Sequence, residues 1–373
     1  MIAKVISDYA VTPLGAGSAT NYEAVASGAS ALQLHEGTFG VPEPFMASLV
    51  NRDAIDAFVG ARGNGLTFFE KLAVASAWPA LVGADIDPAS PEVAYVISTT
   101  KANVDDIGTE RFTTPDESAR RIVAALGGTT APLVVSNACI SGLCAQIAAK
   151  RILDSGRARY VVVTGADAQS RFIVSGFQSF KALSADPCKP FDAARTGLNL
   201  GEASATIIYE GAGKAAPHEW VLCRGAIRND ANHISGPSRT GEGSYRCLEA
   251  LHLDSANMPA FINVHGTATP YNDEMEAIAI SRAGLSEVPV NSLKGYYGHT
   301  MGAAGVLETI ISMQAADNRT IIGTRGFDTM GVSCPVNISA DNRPVSPANS
   351  FVKLLSGFGG CNAAALFTKG GER

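Results

Sequence analysis

The chain has 373 residues, 46% of them hydrophobic and 17% charged, enough apolar material for one large fold or two fused halves. A net charge of -6 argues against a nucleic-acid binder, which needs a strong basic field. No apolar run is long enough to span a bilayer, and Met1-Ile2-Ala3-Lys4-Val5-Ile6-Ser7 reads straight into a strand rather than a secretion signal.

Glycine and proline punctuation separates short β-branched runs from Ala-rich helical runs, the alternation of an α/β protein. In chain order, near-continuous apolar runs predict strands over 93–98 and 133–136, and a helix follows over 141–153. Further strands are predicted over 160–164 and 205–209 and a helix over 301–314, with a small, polar connection at 211–217 near the middle. The pattern suggests two halves, residues 1–212 and 213–373, each offering strands and then a helix entered from a tight loop. No sequence repeat supports the division. Seven scattered cysteines (139, 144, 188, 223, 247, 334 and 361) form no Cys-x-x-Cys pair. That spacing fits reduced thiols in a cytoplasm, and neither a disulfide framework nor a metal site.

Three segments carry chemistry. In Ser136-Asn137-Ala138-Cys139-Ile140-Ser141-Gly142 a strand ends, a Cys sits at the bend and a helix of small residues begins. A thiol there meets the free N–H groups and positive end of the helix, which favours thiolate, and the same N–H groups suit an oxyanion. The competing reading is an ordinary buried thiol. In Phe261-Ile262-Asn263-Val264-His265-Gly266-Thr267-Ala268-Thr269-Pro270 an apolar strand delivers a His into a loop of small and hydroxylated residues, where α/β active sites collect. In Lys294-Gly295-Tyr296-Tyr297-Gly298-His299-Thr300 a second His precedes a helix of very small residues. Either His alone reads equally as a structural group, and Ser356-Gly357-Phe358-Gly359-Gly360-Cys361-Asn362 alone reads as a hairpin turn. No carboxylate follows either His at a suggestive spacing, so a Cys–His–Asp hydrolase fits poorly, whereas two imidazoles suit an enolate oxygen.

Together these motifs resemble the β-ketoacyl-acyl carrier protein synthases of the elongating Cys–His–His type, with their thiolase-like fold. The resemblance runs from Val11-Thr12-Pro13-Leu14-Gly15 through Pro190-Phe191-Asp192, Arg195, Gly197, Gly201 and Glu202 to Gly357-Phe358-Gly359-Gly360. It implies two duplicated α/β halves in a layered α-β-α-β-α core. It also implies an acyltransferase that condenses an acyl-enzyme thioester with malonyl-acyl carrier protein, by decarboxylation, to give a 3-ketoacyl-acyl carrier protein. By the same resemblance Cys139 is the nucleophile, and His265 and His299 stabilise the enolate. Lys294 orders the site, the N–H groups of Cys139 and Phe358 form the oxyanion hole, and Phe358 gates the acyl pocket. Glu308 pairs with Lys294, Asp273 and Glu276 support, and Thr267 and Thr269 hold the pantetheine arm. No metal or cofactor is implied, since phosphopantetheine arrives on the carrier.

The expected partners are an acyl carrier protein, acyl and malonyl thioesters, and a second copy or a related chain as dimer mate. Arg52, Arg62, Lys71, Arg120 and Arg121 are candidates for a carrier-docking patch, while Phe191, Asp192, Arg195 and Glu202 read as architecture whose buried charges pair with each other. Departures from the family pattern are a trimmed 183–190 loop, Ala and Ser after Gly201-Glu202, and Ser98-Thr99-Thr100-Lys101-Ala102-Asn103 in place of a Gly-rich segment. They leave chain length open and point towards a specialised polyene- or polyketide-type product. The alternative function is a non-catalytic, chain-length-determining partner subunit; a thioesterase-like enzyme and a degradative thiolase are weaker rivals.

Overall fold

The computed structural model describes residues 1–254 and 258–370. Ten strands form the frame. The first five are β1 (Ile2–Thr12), β2 (Val93–Ser98), β3 (Leu133–Val135), β4 (Tyr160–Asp167) and β5 (Ala203–Ala212). The second five are β6 (Trp220–Asn229), β7 (Ile262–Asn263), β8 (Pro289–Asn291), β9 (Ser350–Gly357) and β10 (Cys361–Lys369).

Their spatial order is β8-β7-β9-β10-β6-β1-β5-β4-β2-β3, and Asn337–Ile338 extends the β8 edge. The two sets of five repeat one plan. In the first, β2 runs parallel to β3 and β4, and β5 lies antiparallel to β4 and β1. In the second, β7 runs parallel to β8 and β9, and β10 lies antiparallel to β9 and β6. The sets meet where β1 and β6 pair at Ala3↔Leu222 and Lys4↔Val221.

Five helices matter for the site: α1 (Phe68–Ala84), α2 (Ser141–Asp154), α3 (Glu242–Glu249), α4 (Pro270–Arg282) and α5 (Ala304–Asp317). α1 covers the outer face of the first half-sheet and α3 that of the second. α2 and α5 pack on one another and touch strands of both halves. The result is the layered α-β-α-β-α core that the resemblance implied. Because α5 lies in the middle layer, twelve of its fourteen residues are buried and it is apolar all round rather than two-faced.

Glycines set how closely the middle helices approach. A Cβ on Gly305 would lie 2.3 Å from Leu143 N, and one on Gly142 would lie 2.8 Å from Gly302 O. Backbone meets backbone at this crossing, so the loops that open α2 and α5 stand side by side. Among the described residues no helix is long and apolar enough to cross a membrane. All seven cysteines are free.

Candidate active site

Cys139 sits between β3 and α2, in a turn where Ala138 takes a left-handed φ of 45°. His265 leaves the end of β7, and His299 follows Gly298, whose φ is 66°. One donor atom from each of Cys139, His265 and His299 falls within 4.8 Å of the other two, and all three residues are buried. The imidazoles meet edge to face at 5.0 Å between centroids. A cavity of about 530 Å³ opens onto the trio and is lined also by Thr267, Thr269, Phe177, Phe180, Lys181 and Phe358.

The thiol does not rest in the state expected of a helix mouth. The N–H groups of Ile140 and Ser141 are taken by the carbonyls of Asn137 and Ala138, so the turn uses up two of the donors at the helix mouth. Burial then pushes the Cys139 thiol up to about 12, against the opposite pull of Lys294 and of the Phe358 N–H, which lies within hydrogen-bonding reach of the sulfur. Burial thus favours the neutral thiol over the thiolate. Gly357 permits that approach, since a Cβ there would lie 3.1 Å from Cys139 N.

Both imidazoles are held well below the ordinary histidine range. Burial is the first cause for each, and the Lys294 ammonium the second. At neutral pH each ring therefore has one N–H to give. For His299 the geometry says which: Met301 N–H donates to Nδ1 (3.3 Å), leaving Nε2 as the protonated nitrogen. His299 Nε2 and His265 Nδ1 are buried without a hydrogen-bond partner. A neutral donor kept unpaired beside a cavity is available to an oxygen that acquires charge.

The supporting carboxylates grip backbone, not solvent. Glu276 on α4 accepts the N–H groups of His265 and Gly266, both at 2.7 Å. Asp273, one turn earlier, accepts those of Thr267 (3.0 Å), Ala268 (3.1 Å) and Phe191 (2.7 Å). Burial pushes Asp273 up to about 6, and burial with the Asp273 charge pushes Glu276 up to about 7. Glu308 on α5 joins the Lys294 ammonium through one oxygen and Lys353 Nζ through the other at 2.7 Å. Thr267 and Thr269 hydroxyls meet at 3.0 Å on the cavity wall. The Phe358 ring lies against Phe177 and Phe180, with centroids 5.4 Å away in each case.

Two expectations concern charged residues. None of Arg52, Arg62, Lys71, Arg120 and Arg121 lines the cavity, and each is engaged elsewhere. Arg52 and Arg62 lie over the rings of Phe68 and Trp78, and Lys71, Arg120 and Arg121 pair with Asp56, Asp116 and Glu70. The lysine that does line the cavity is Lys181. Second, the charges around Phe191 do not pair with each other. Asp192 accepts backbone N–H groups of Ala194, Asp328 and Thr329, Arg195 donates to the carbonyls of Asp192, Gly331 and Pro270, and Glu202 accepts from Val50 and Gln169.

Lys353 was missed by the motif reading, although a lysine inside Phe351-Val352-Lys353-Leu354-Leu355 is a visible signal of a buried charge. Phe177 and Phe180 gave no signal, because only the fold brings them to Phe358.

Comparison with known proteins places this geometry. The N-terminal domain model of the beta-ketoacyl synthases matches residues 53–215, and the C-terminal domain model matches residues 221–328. The tetracenomycin polyketide synthase ketoacyl synthase alpha subunit of Streptomyces glaucescens is 31% identical over 273 residues, covering 68% of this chain and 64% of that protein. The 3-oxoacyl-[acyl-carrier-protein] synthase 2 of Rhizobium meliloti is 32% identical over 265 residues, covering 63% of this chain and 60% of that one. The matches thus span less than two thirds of these relatives. Among solved structures, a beta-ketoacyl synthase from Burkholderia phymatum superposes with TM-score 0.85 at 22% identity, over 99% of both chains. A ketosynthase from Xenorhabdus doucetiae, in complex with its chain length factor, gives TM-score 0.81 at 21% identity over 99% of this chain and 98% of that one. With both domain models matched in order along the sequence, and the fold shared end to end, the chain belongs to the beta-ketoacyl synthase family.

Proposed function

We propose that the chain is an elongating ketosynthase that condenses an acyl group held on Cys139 with malonyl-acyl carrier protein. The observation that carries this reading is the trio itself: one buried thiol within 4.8 Å of ring nitrogens from two neutral imidazoles, at the floor of a cavity.

In the first step the Cys139 sulfur attacks the carrier thioester. A new C–S bond forms, the pantetheine sulfur leaves, and the proton given up by Cys139 goes to that leaving sulfur. The N–H groups of Cys139 and Phe358 take the transient oxyanion. The malonyl thioester then enters past Thr267 and Thr269 with its carbonyl oxygen facing His265 and His299. Its carboxylate leaves as carbon dioxide, and the electron pair of the broken C–C bond passes into an enolate. The two ring N–H groups oppose charge present mainly in the transition state, so they favour the reaction over the bound substrate. The carbanion attacks the Cys139 thioester, a C–C bond forms, and the departing sulfur takes up a proton to restore the thiol. Lys294 and Glu308 order the second imidazole, and Asp273 and Glu276 hold the loop of the first. No cofactor or metal of the protein's own takes part.

The chain divides on this reading at 212/213, between the end of β5 and the start of β6. Its free edge, β3, has Leu133 exposed and suits pairing with a second copy or a related chain. The decisive experiment supplies acyl-carriers and malonyl-carrier and identifies products by mass: a 3-ketoacyl carrier two carbons longer, with carbon dioxide, is expected. Release of free acid without carbon dioxide would support a thioesterase instead. Absence of activity-linked iodoacetamide alkylation at Cys139 would support a chain-length-determining subunit.

A further inference from the structure

Lys353 is the buried charge that the proposed chemistry leaves without a task. It lies in β9 with no solvent exposure, in register with Asn263 of β7. A buried ammonium costs several kcal/mol unless its protons are matched, and an aliphatic residue would serve the strand at no such cost. Here the match is unusual. Nζ reaches Glu308 Oε2 at 2.7 Å, the carbonyls of Asn263 and Val264 at 3.3 Å each, and that of Leu354 at 3.2 Å.

Two of those carbonyls immediately precede His265. β7 ends at Asn263, so the chain beyond it leaves the ladder and needs other partners. Lys353 takes the carbonyls of 263 and 264, Glu276 takes the N–H groups of 265 and 266, and Asp273 takes those of 267 and 268. Six consecutive residues are thereby fixed by three buried charges, with the imidazole at their centre. Through Glu308 the same ammonium is tied to Lys294, whose carbonyl accepts the Gly298 N–H beside His299. Lys294–Glu308–Lys353 is a bridge from one imidazole loop to the other.

We propose that Lys353 is a positioning residue for His265, holding the end of β7 so that the two imidazoles address one oxygen. The inference rests on the functional reading above. Its test uses the full chain carrying Cys139→Ala, with carbon dioxide release from malonyl-carrier as the readout. Adding Lys353→Met should lower kcat by about ten-fold or more, because a displacement of even 1 Å at the reacting group is that costly, while KM stays within about two-fold. Lys353→Met leaves the second oxygen of Glu308 unmatched and weakens folding, so a second variant separates stability from position. Ile122→Ala, fully buried in the helix Pro115–Ala125 and away from the cavity lining, is the stability control: it should weaken folding by a comparable amount while kcat stays near that of the parent. An equal fall of kcat in Ile122→Ala, or a folded Lys353→Met with unchanged kcat, would overturn the inference alone. No carbon dioxide from the Cys139→Ala parent would overturn the functional reading, and this inference with it.

Discussion

Replacing Gly305 by alanine should separate Cys139 from His299. The new methyl group would lie 2.3 Å from Leu143 N, 2.7 Å from Gly142 C and 3.0 Å from Gly142 Cα. All three are backbone atoms of the facing helix, so no rotamer change relieves the contact. Non-bonded heavy atoms settle at about 3.5 Å, so α2 and α5 must part by about 1 Å. Overpacking of a closed core costs about 1–3 kcal/mol, and this site belongs at the upper end because neither side yields. Since α2 begins beside the thiol and α5 follows His299, the same 1 Å enters the catalytic distance, where about 10²-fold in rate is at stake. Urea unfolding gives the first quantity, and single-turnover condensation on pre-acylated enzyme gives the second. Gly142→Ala, whose nearest contact is 2.8 Å, should fall between Gly305→Ala and wild type. Gly176→Ala is the control: it lies in the helix Arg171–Ser179 with nothing within 4 Å of the added carbon, and should be neutral or mildly stabilising. If Gly305→Ala unfolds within about 0.5 kcal/mol of wild type and turns over normally, the helix crossing does not set the site's geometry.

Three further outcomes follow from the buried charges. Glu308→Gln leaves Lys294 and Lys353 facing each other without their shared carboxylate and should cost about 3–5 kcal/mol in denaturant unfolding; a loss below about 1 kcal/mol would mean the bridge is dispensable. His299→Asn tests the neutral imidazole: the ring is held below its unfolded value, so the unfolded chain takes the proton first as pH falls through 6.5. Wild type should lose about 1.4 kcal/mol relative to the variant by pH 5.5, and a pH-independent difference would show that the ring titrates alike in the folded and unfolded chain. Glu276 has the opposite sign. Its folded value is raised from 4.5 to about 7, so between these pH values the folded state holds the extra proton and stability falls as pH rises. Activity should run the other way, because the hydroxyl oxygen of a protonated carboxyl is a much weaker acceptor than a carboxylate oxygen, which loosens the hold on His265 or Gly266. Carbon dioxide release in the Cys139→Ala background should therefore fall as pH drops through about 7 in the parent and lack that limb in Glu276→Gln, whose side chain is neutral throughout.

The sequence displayed the site more fully than the frame around it. Cys139, His265 and His299 each stand where an apolar run breaks into a loop of small residues, a local signal that needs no tertiary information. The strands over 93–98 and 160–164 were equally plain, because a parallel strand covered on both faces must be apolar throughout. The duplicated strand order was not readable from residues: it arises from which edges pair, and the two halves reach the same plan with different side chains. β7 and β8, at two and three residues, are too short to show any period, yet they deliver His265 and stand next to the loop that delivers His299.

Charge was the harder property to read. Arg52, Arg62, Lys71, Arg120 and Arg121 suggest a basic patch in a list of residues, but a list does not show that their neighbours in space are rings and carboxylates. The thiolate expectation meets an opposing influence for a related reason. A helix end favours an anion only through N–H groups still free to point at it, and the sharp turn that puts Cys139 at the helix mouth also consumes those of Ile140 and Ser141. On the proposed reading, a thiol and two imidazoles that burial keeps neutral form a site whose charge arises during the reaction, which is the condition under which fixed donors discriminate a transition state from bound substrate.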